Sequence, residues 1–113
     1  MIVDHISYRH GMIKNLSERN NLKYRRLTAG EIPDEVLVLI KKNDLLSLNG
    51  QFGMKEGGDP TEYEELEIKS GDKTAKVEIF NKGMSMFLQE TPELKRLFEV
   101  CCRLDRIGSK KDN

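Results

Sequence analysis

Few side chains of this sequence have the chemistry for catalysis or metal binding. There are two histidines, His5 and His10, and two adjacent cysteines, Cys101 and Cys102. A carboxylate-rich run, DPTEYEELE, spans Asp59 to Glu67, and a basic stretch around an aromatic, LKYRRL, spans Leu22 to Leu27. Two histidines that converged would share a metal ion or relay a proton. Five positions apart on a strand, His5 and His10 point to opposite faces, which argues against both. A reactive thiol needs an electropositive, partly exposed setting. Cys101 falls on the apolar stripe of a C-terminal helix and reads as a small buried hydrophobe. Cys102 lies one step off that stripe, with Arg103 and Arg106 as weak sources of positive field. No CxxC or Cys/His metal spacing occurs.

The remaining motifs resolve along the same lines. A calcium loop presents oxygen ligands at alternate positions of a turn and closes on a glutamate. Here the glutamates fall within a strand, so Glu65 and Glu67 share one face and Glu64 takes the other. That reads as a solvated face, with an acidic docking surface as the sharper alternative. GMKEGGDP, 53–60, is glycine-rich, but its lysine is misplaced for a phosphate loop and no strand-to-helix turn surrounds it. LKYRRL has the ingredients of a single-strand nucleic-acid binder, phosphate contacts plus a stacking ring. Alternation places Tyr24 and Arg26 on one face and Lys23 and Arg25 on the other, so the positive charge is divided. Pairing with the acidic hairpin is the simpler account.

The elements that must position these residues follow from periodicity. Residues 2–9, IVDHISYR, alternate as a strand, which Gly11 ends, and LKYRRLT, 22–28, forms a second. KNLSERNN, 14–21, is a polar loop. Pro33, Asp34 and Glu35 suit a helix start, and Lys41, Lys42 and Asn43 suit its end. Val36, Leu37 and Ile40 then face the core. The run VLVLI, 36–40, also fits a buried strand, and the end signals favour helix. Leu45, Leu46 and Leu48 close the core, and the glycine-rich loop follows. YEELEIKSGDKTAKVEIF, 63–80, is a hairpin with Gly71-Asp72 in a two-residue turn. Counting outwards pairs Ile68 with Ala75, Leu66 with Val77 and Glu64 with Ile79 on the inner face. Lys69 meets Thr74, Glu67 meets Lys76, Glu65 meets Glu78 and Tyr63 meets Phe80 on the outer, water-facing side. Thr91 caps a last helix, with Pro92 at its first position and Leu94, Leu97, Phe98, Cys101 and Leu104 as its apolar stripe; Gly108 ends it.

The order β-β-α-β-β-α predicts an α+β fold: an antiparallel sheet of about four strands with two helices on one face. At 113 residues the chain suits one domain, residues 1–107, with a disordered tail at 108–113. Net charge is zero, so bulk charge predicts neither a nucleic-acid nor a membrane-surface partner. The distribution is uneven: residues 1–30 carry six Lys/Arg against two Asp/Glu, 31–70 four against ten, and 71–113 nine against seven. No run reads as a signal peptide or a membrane span, and the cysteine usage suits a reducing, cytoplasmic setting.

EIPDEVLVLIKKNDLLSL, the glycine-rich loop with Asp59, YEELEIKSGDKTAKVEIF and TPELKRLFEV stand in an order and spacing, from about Leu27 to Val100, that resembles the emfourin family. These are small bacterial inhibitors of thermolysin-like metalloproteases. That family carries a Gly-Gly pair after its first strand, where this chain reads His10-Gly11-Met12. The resemblance implies a protease inhibitor. The expected function is accordingly a non-enzymatic protein-binding module without a cofactor or metal, monomeric or weakly dimeric. The partner is expected at His10, Gly11, Met12 and Lys14 and at Gly53, Glu56, Gly57 and Gly58. The alternative is a nucleic-acid-binding surface at Lys23, Tyr24, Arg25 and Arg26. An enzyme with Cys102 as nucleophile ranks third.

Overall fold

The computed structural model describes residues 2–53, 61–81 and 91–111, the side chains of 16, 19, 20 and 107–111 excepted. The strands are β1 (His5–Ile13), β2 (Lys23–Thr28), β3 (Gly50–Gly53), β4 (Thr61–Ser70) and β5 (Lys73–Phe80). The helices are α1 (Asp34–Lys42) and α2 (Pro92–Lys111). Short 3-10 turns cover Leu16–Asn21, Ala29–Glu31 and Leu45–Ser47. The fold is α+β, as expected, but among the described residues the sheet has five strands in the order β2-β1-β4-β5-β3.

The hairpin register is the one that residue counting predicts. All seven pairs, from Tyr63–Phe80 to Lys69–Thr74, are in place. Gly71 supplies the positive φ of the turn, at 61°. β4 also pairs antiparallel with β1, Ile6 opposite Ile68 and Tyr8 opposite Leu66, so the hairpin sits at the centre of the sheet. One face is thereby built from Ile6, Tyr8, Leu27, Leu66, Ile68, Ala75, Val77 and Ile79, all buried. Helices α1 and α2 bury Val36, Leu39 and Ile40 and Leu94, Leu97, Val100, Cys101 and Leu104 in the same core. Each large aliphatic side chain removed from water there contributes about 1.5–3 kcal/mol before entropy is counted.

Several boundaries differ from expectation. The run 36–40 is helical, with Pro33 one position earlier than predicted, at the N-cap. Its buried residues include Leu39, while Leu37 only packs against the core. β1 does not stop at Gly11 but runs on to Ile13. Gly11 suits its place because the backbone there runs at φ +155°, where a side chain is strained; an added Cβ would also stand 2.7 Å from Leu22 Cδ2, the movable end of that side chain. β3 is a further, unpredicted strand and pairs parallel with β5, which makes the sheet mixed. Phe98 of the predicted stripe is 37% exposed and Val100 takes the buried place. α2 continues through Gly108 to Lys111. A single glycine costs a helix about 1 kcal/mol and does not end it unless the chain also turns.

The caps follow the sequence. Leu94 N–H donates to Thr91 Oγ1 at 3.2 Å, the N-cap bond of α2. The end of α1 is closed from outside: Arg96 of α2 donates to the carbonyls of Asn43 at 2.6 Å and Asp44 at 2.7 Å and to Ser47 Oγ at 3.2 Å. On the Asn43 carbonyl, at the C-cap, the guanidinium satisfies a hydrogen bond and opposes the negative end of the helix dipole at once, while the Asp44 carbonyl beyond it also accepts from the Ser47 N–H and hydroxyl. At the other end of the helix pair, Arg103 meets Glu35 at 3.4 Å.

The opposite sheet face is wet only in part. Tyr63 and Phe80, expected on the solvent side, are buried with Ile13, and Leu22 packs on them. Their rings meet edge to face, centroids 5.5 Å apart. The Tyr63 hydroxyl stands 2.8 Å from Glu65 and 2.7 Å from Glu78, between the two like charges that the register brings together. A donor shared by both carboxylates offsets the repulsion that such a cross-strand pair carries on its own. Burial, then the contacts with Glu78 and Glu65, hold this phenol far above the usual tyrosine range.

Candidate functional site

Alternation on β1 sends Ile6, Tyr8, His10 and Met12 to the helix side and His5, Ser7 and Arg9 to the other. The two histidines therefore separate, as expected. His5 Nε2 lies 3.5 Å from Glu67, and its Nδ1 lies 3.5 Å from Arg26. His10 Nε2 meets Asp105 of α2 at 2.9 Å. The register between β1 and β2 places Lys23 opposite His10 and Arg25 opposite Tyr8. Tyr8, His10, Lys23, Tyr24, Arg25, Leu104 and Asp105 line a small cleft of about 30 Å³ between the sheet and α2.

The floor of this cleft is polar and closed. Tyr8 is 4% exposed and donates its hydroxyl to Glu64 Oε1 at 2.9 Å, where Glu64 is 6% exposed. Burial first, then the nearby Cys101 and the Glu64 and Asp105 carboxylates, keep the Tyr8 phenol far above its ordinary value, so it stays a donor. The His10 and Tyr8 rings lie 5.3 Å apart, tilted by 36°. The rim is half open: the His10 side chain is 33% exposed and that of Asp105 53%. Two cations, an imidazole and the Asp105 carboxylate thus border an opening with room for about two waters.

The sites expected from the sequence are partly brought together. His10 from the first set and Lys23 and Arg25 from the second share the cleft, and Tyr24 borders it with its ring turned to the other face, where its hydroxyl meets Ser7. Met12, 56% exposed, continues the His10 face, and Lys14 is exposed just beyond β1. Gly53 lies at the same end of the sheet but on β3, three strand spacings or about 14 Å from β1. Glu56, Gly57 and Gly58 lie outside the described residues. Arg26 is on the far face with His5, and Tyr24 on that face carries Arg9 4.9 Å from its ring centre. Sequence reading missed Tyr8, Glu64 and Asp105. The signal for Glu64 was present: the hairpin register puts one glutamate on an otherwise apolar face.

Cys101 is fully buried and Cys102 half-buried. Among the described residues no three His, Cys, Asp or Glu converge to hold a metal ion. No described helix is long and apolar enough to cross a membrane. No family, no curated protein and no solved structure matches this chain.

Proposed function

We propose that this chain is a non-enzymatic protein-binding module, and in its specific form an inhibitor of a thermolysin-like metalloprotease working in the cytoplasm. The observation that carries the reading is the position of β2. Among the described residues it is an outer strand of the sheet, and only Leu27 of its six residues is buried. His10, Gly11, Met12 and Lys14 lie beside it or just beyond, on β1 and the chain that leaves it. A rigid helix-backed sheet that presents an open strand is a common way to hold a partner. The specific form rests on the emfourin resemblance, in which the chain from Leu27 to Val100 keeps the family's order of elements. The test is hydrolysis of a small peptide by a thermolysin-like metalloprotease in the presence of this chain. Stoichiometric inhibition with the chain recovered intact supports the reading. Full protease activity, or cleavage of the chain as a substrate, overturns the specific form.

A second reading, weak nucleic-acid binding by Lys23, Tyr24, Arg25 and Arg26, draws on the half-exposed Tyr24 ring among cations. Its signature is a steep loss of binding with salt. The cations stand on both sides of the strand, Lys23 and Arg25 on one and Arg26 on the other, so a phosphate track along either face would meet only some of them.

A further inference from the structure

Asn49 and Gly50 form the one Asn-Gly step of the sequence. Asparagine is thermolabile, and most so before glycine, where no side chain hinders approach of the next amide nitrogen to the carboxamide. The structure adds to that bare chemistry. Both residues are exposed, and a Cβ added to Gly50 would meet nothing within 4 Å. Gly50 stands at φ +119° on the first rung of β3, a strand of four residues. A terminal rung opens more readily than the middle of a sheet. The Asn49 carboxamide is held from the neighbouring strand: its Oδ1 accepts the Lys76 main-chain N–H at 3.1 Å. Lys76 is fixed in turn by the hairpin register, opposite Glu67. Asn15 and Asn81 also accept a main-chain N–H on Oδ1, from Ser17 and Glu62, but Leu16 and Lys82 follow them in sequence.

We infer that Asn49 is a modification site, at which the folded chain converts its own carboxamide to aspartate and isoaspartate through a cyclic imide with Gly50. In the ring-closing step the Gly50 nitrogen, its proton taken by hydroxide, bonds to Asn49 Cγ. Negative charge gathers on Oδ1, where the Lys76 N–H already donates. The Cγ–Nδ2 bond then breaks, and the nitrogen leaves as ammonia with a proton from water. Water opens the imide at either carbonyl, so the sum is asparagine and water to acid and ammonia. Opening at the main-chain carbonyl leaves isoaspartate, whose backbone is longer by one carbon, about 1.5 Å. That carbon enters just ahead of β3, whose seat has little slack. Phe52 packs on the core, Gln51 donates to Glu78 at 3.2 Å, and a Cβ at Gly53 would stand 2.2 Å from the Phe80 carbonyl oxygen. The isoaspartyl form therefore loosens the parallel pairing of β3 with β5. β2 lies at the opposite edge, so the inference is independent of the binding reading above.

The test is incubation of the folded chain at mildly alkaline pH. Peptide mass spectrometry locates the amide-to-acid mass gain, and an isoaspartyl methyltransferase with a labelled methyl donor reads isoaspartate. The gain is expected at Asn49 ahead of every other asparagine, with isoaspartate exceeding aspartate. Its rate is expected to lie no more than about tenfold below that of the chain in urea. Gly50→Ala is expected to slow it at least about tenfold. Asn49→Gln, which would have to close a larger ring, serves if the alanine variant, strained at φ +119°, does not fold. Chain enriched in isoaspartate is expected to gain amide exchange along Gly50–Gly53 and to keep its protection along Lys23–Thr28. A mass gain in urea but not in the folded chain overturns the inference, as does another asparagine reacting first. Aspartate without isoaspartate overturns the imide route, and unchanged exchange along β3 in the isoaspartyl form overturns the loosening.

Discussion

Removing the Tyr8 hydroxyl tests whether the floor of the cleft is held by a specific bond or only by packing. Tyr8→Phe keeps the ring among Leu104, Cys101 and Leu66 and deletes one donor. Both partners are nearly sealed from water, 4% and 6% exposed, and the bond is 2.9 Å long. A buried hydrogen bond to a carboxyl oxygen is worth about 1.5–3 kcal/mol, and its loss leaves that oxygen with the desolvation penalty. Tyr8→Phe is therefore expected to lower unfolding free energy by about 2 kcal/mol. Glu64→Leu removes the acceptor and adds a side chain suited to its apolar neighbours, so the double variant should recover part of the loss. The assay is urea unfolding of the four proteins of the cycle, with the slope checked for constancy. A coupling energy of at least about 1 kcal/mol is expected. A coupling within about 0.3 kcal/mol of zero would refute the claim that this pair is a buried, cooperative bond.

Arg96→Met is expected to cost about 1.5–3 kcal/mol by denaturation, since it strips three hydrogen bonds from the end of α1, and Arg96→Lys should not restore them because the planar fork is lost. Gly11→Ala should destabilise by about 1–3 kcal/mol, and adding Leu22→Ala should relieve the clash but not the backbone strain. Tyr8 has its phenol raised above the unfolded value, so its share of stability is complete below about pH 10 and falls by about 1.4 kcal/mol per pH unit above that. In a Tyr24→Phe variant, which lacks the half-exposed ring, alkaline unfolding should therefore coincide with the appearance of tyrosinate absorbance rather than follow it. In the native protein Cys102 should alkylate while Cys101 stays protected, as mass spectrometry of the labelled peptides would show.

What was legible in the sequence was what short-range physics determines. The hairpin register followed from period two and the Gly71 turn, because a slip of one residue would have buried the outer glutamates. The ends of α1 and the start of α2 followed from Pro33, the lysines at 41 and 42, and Thr91. β3 was not legible. Gln51 and Phe52 stand between two glycines, and their partner is a parallel strand that comes later in the chain, so no local pattern marks them. Gly11 was misread for a related reason: a strand glycine that its backbone angle requires looks the same as one that stops a strand. The cleft was out of reach because Tyr8 and Glu64 are 56 residues apart and Asp105 arrives from the last helix. The glutamate on the inner hairpin face was the single clue.

Amide hydrogen exchange on this chain, alone and with an equimolar thermolysin-like metalloprotease, reads the partner-binding edge directly. Protection gained along Lys23–Thr28 and little changed along Gly50–Gly53 is the result expected. Protection gained at β3 or on the helix face, or no gain anywhere, would contradict it.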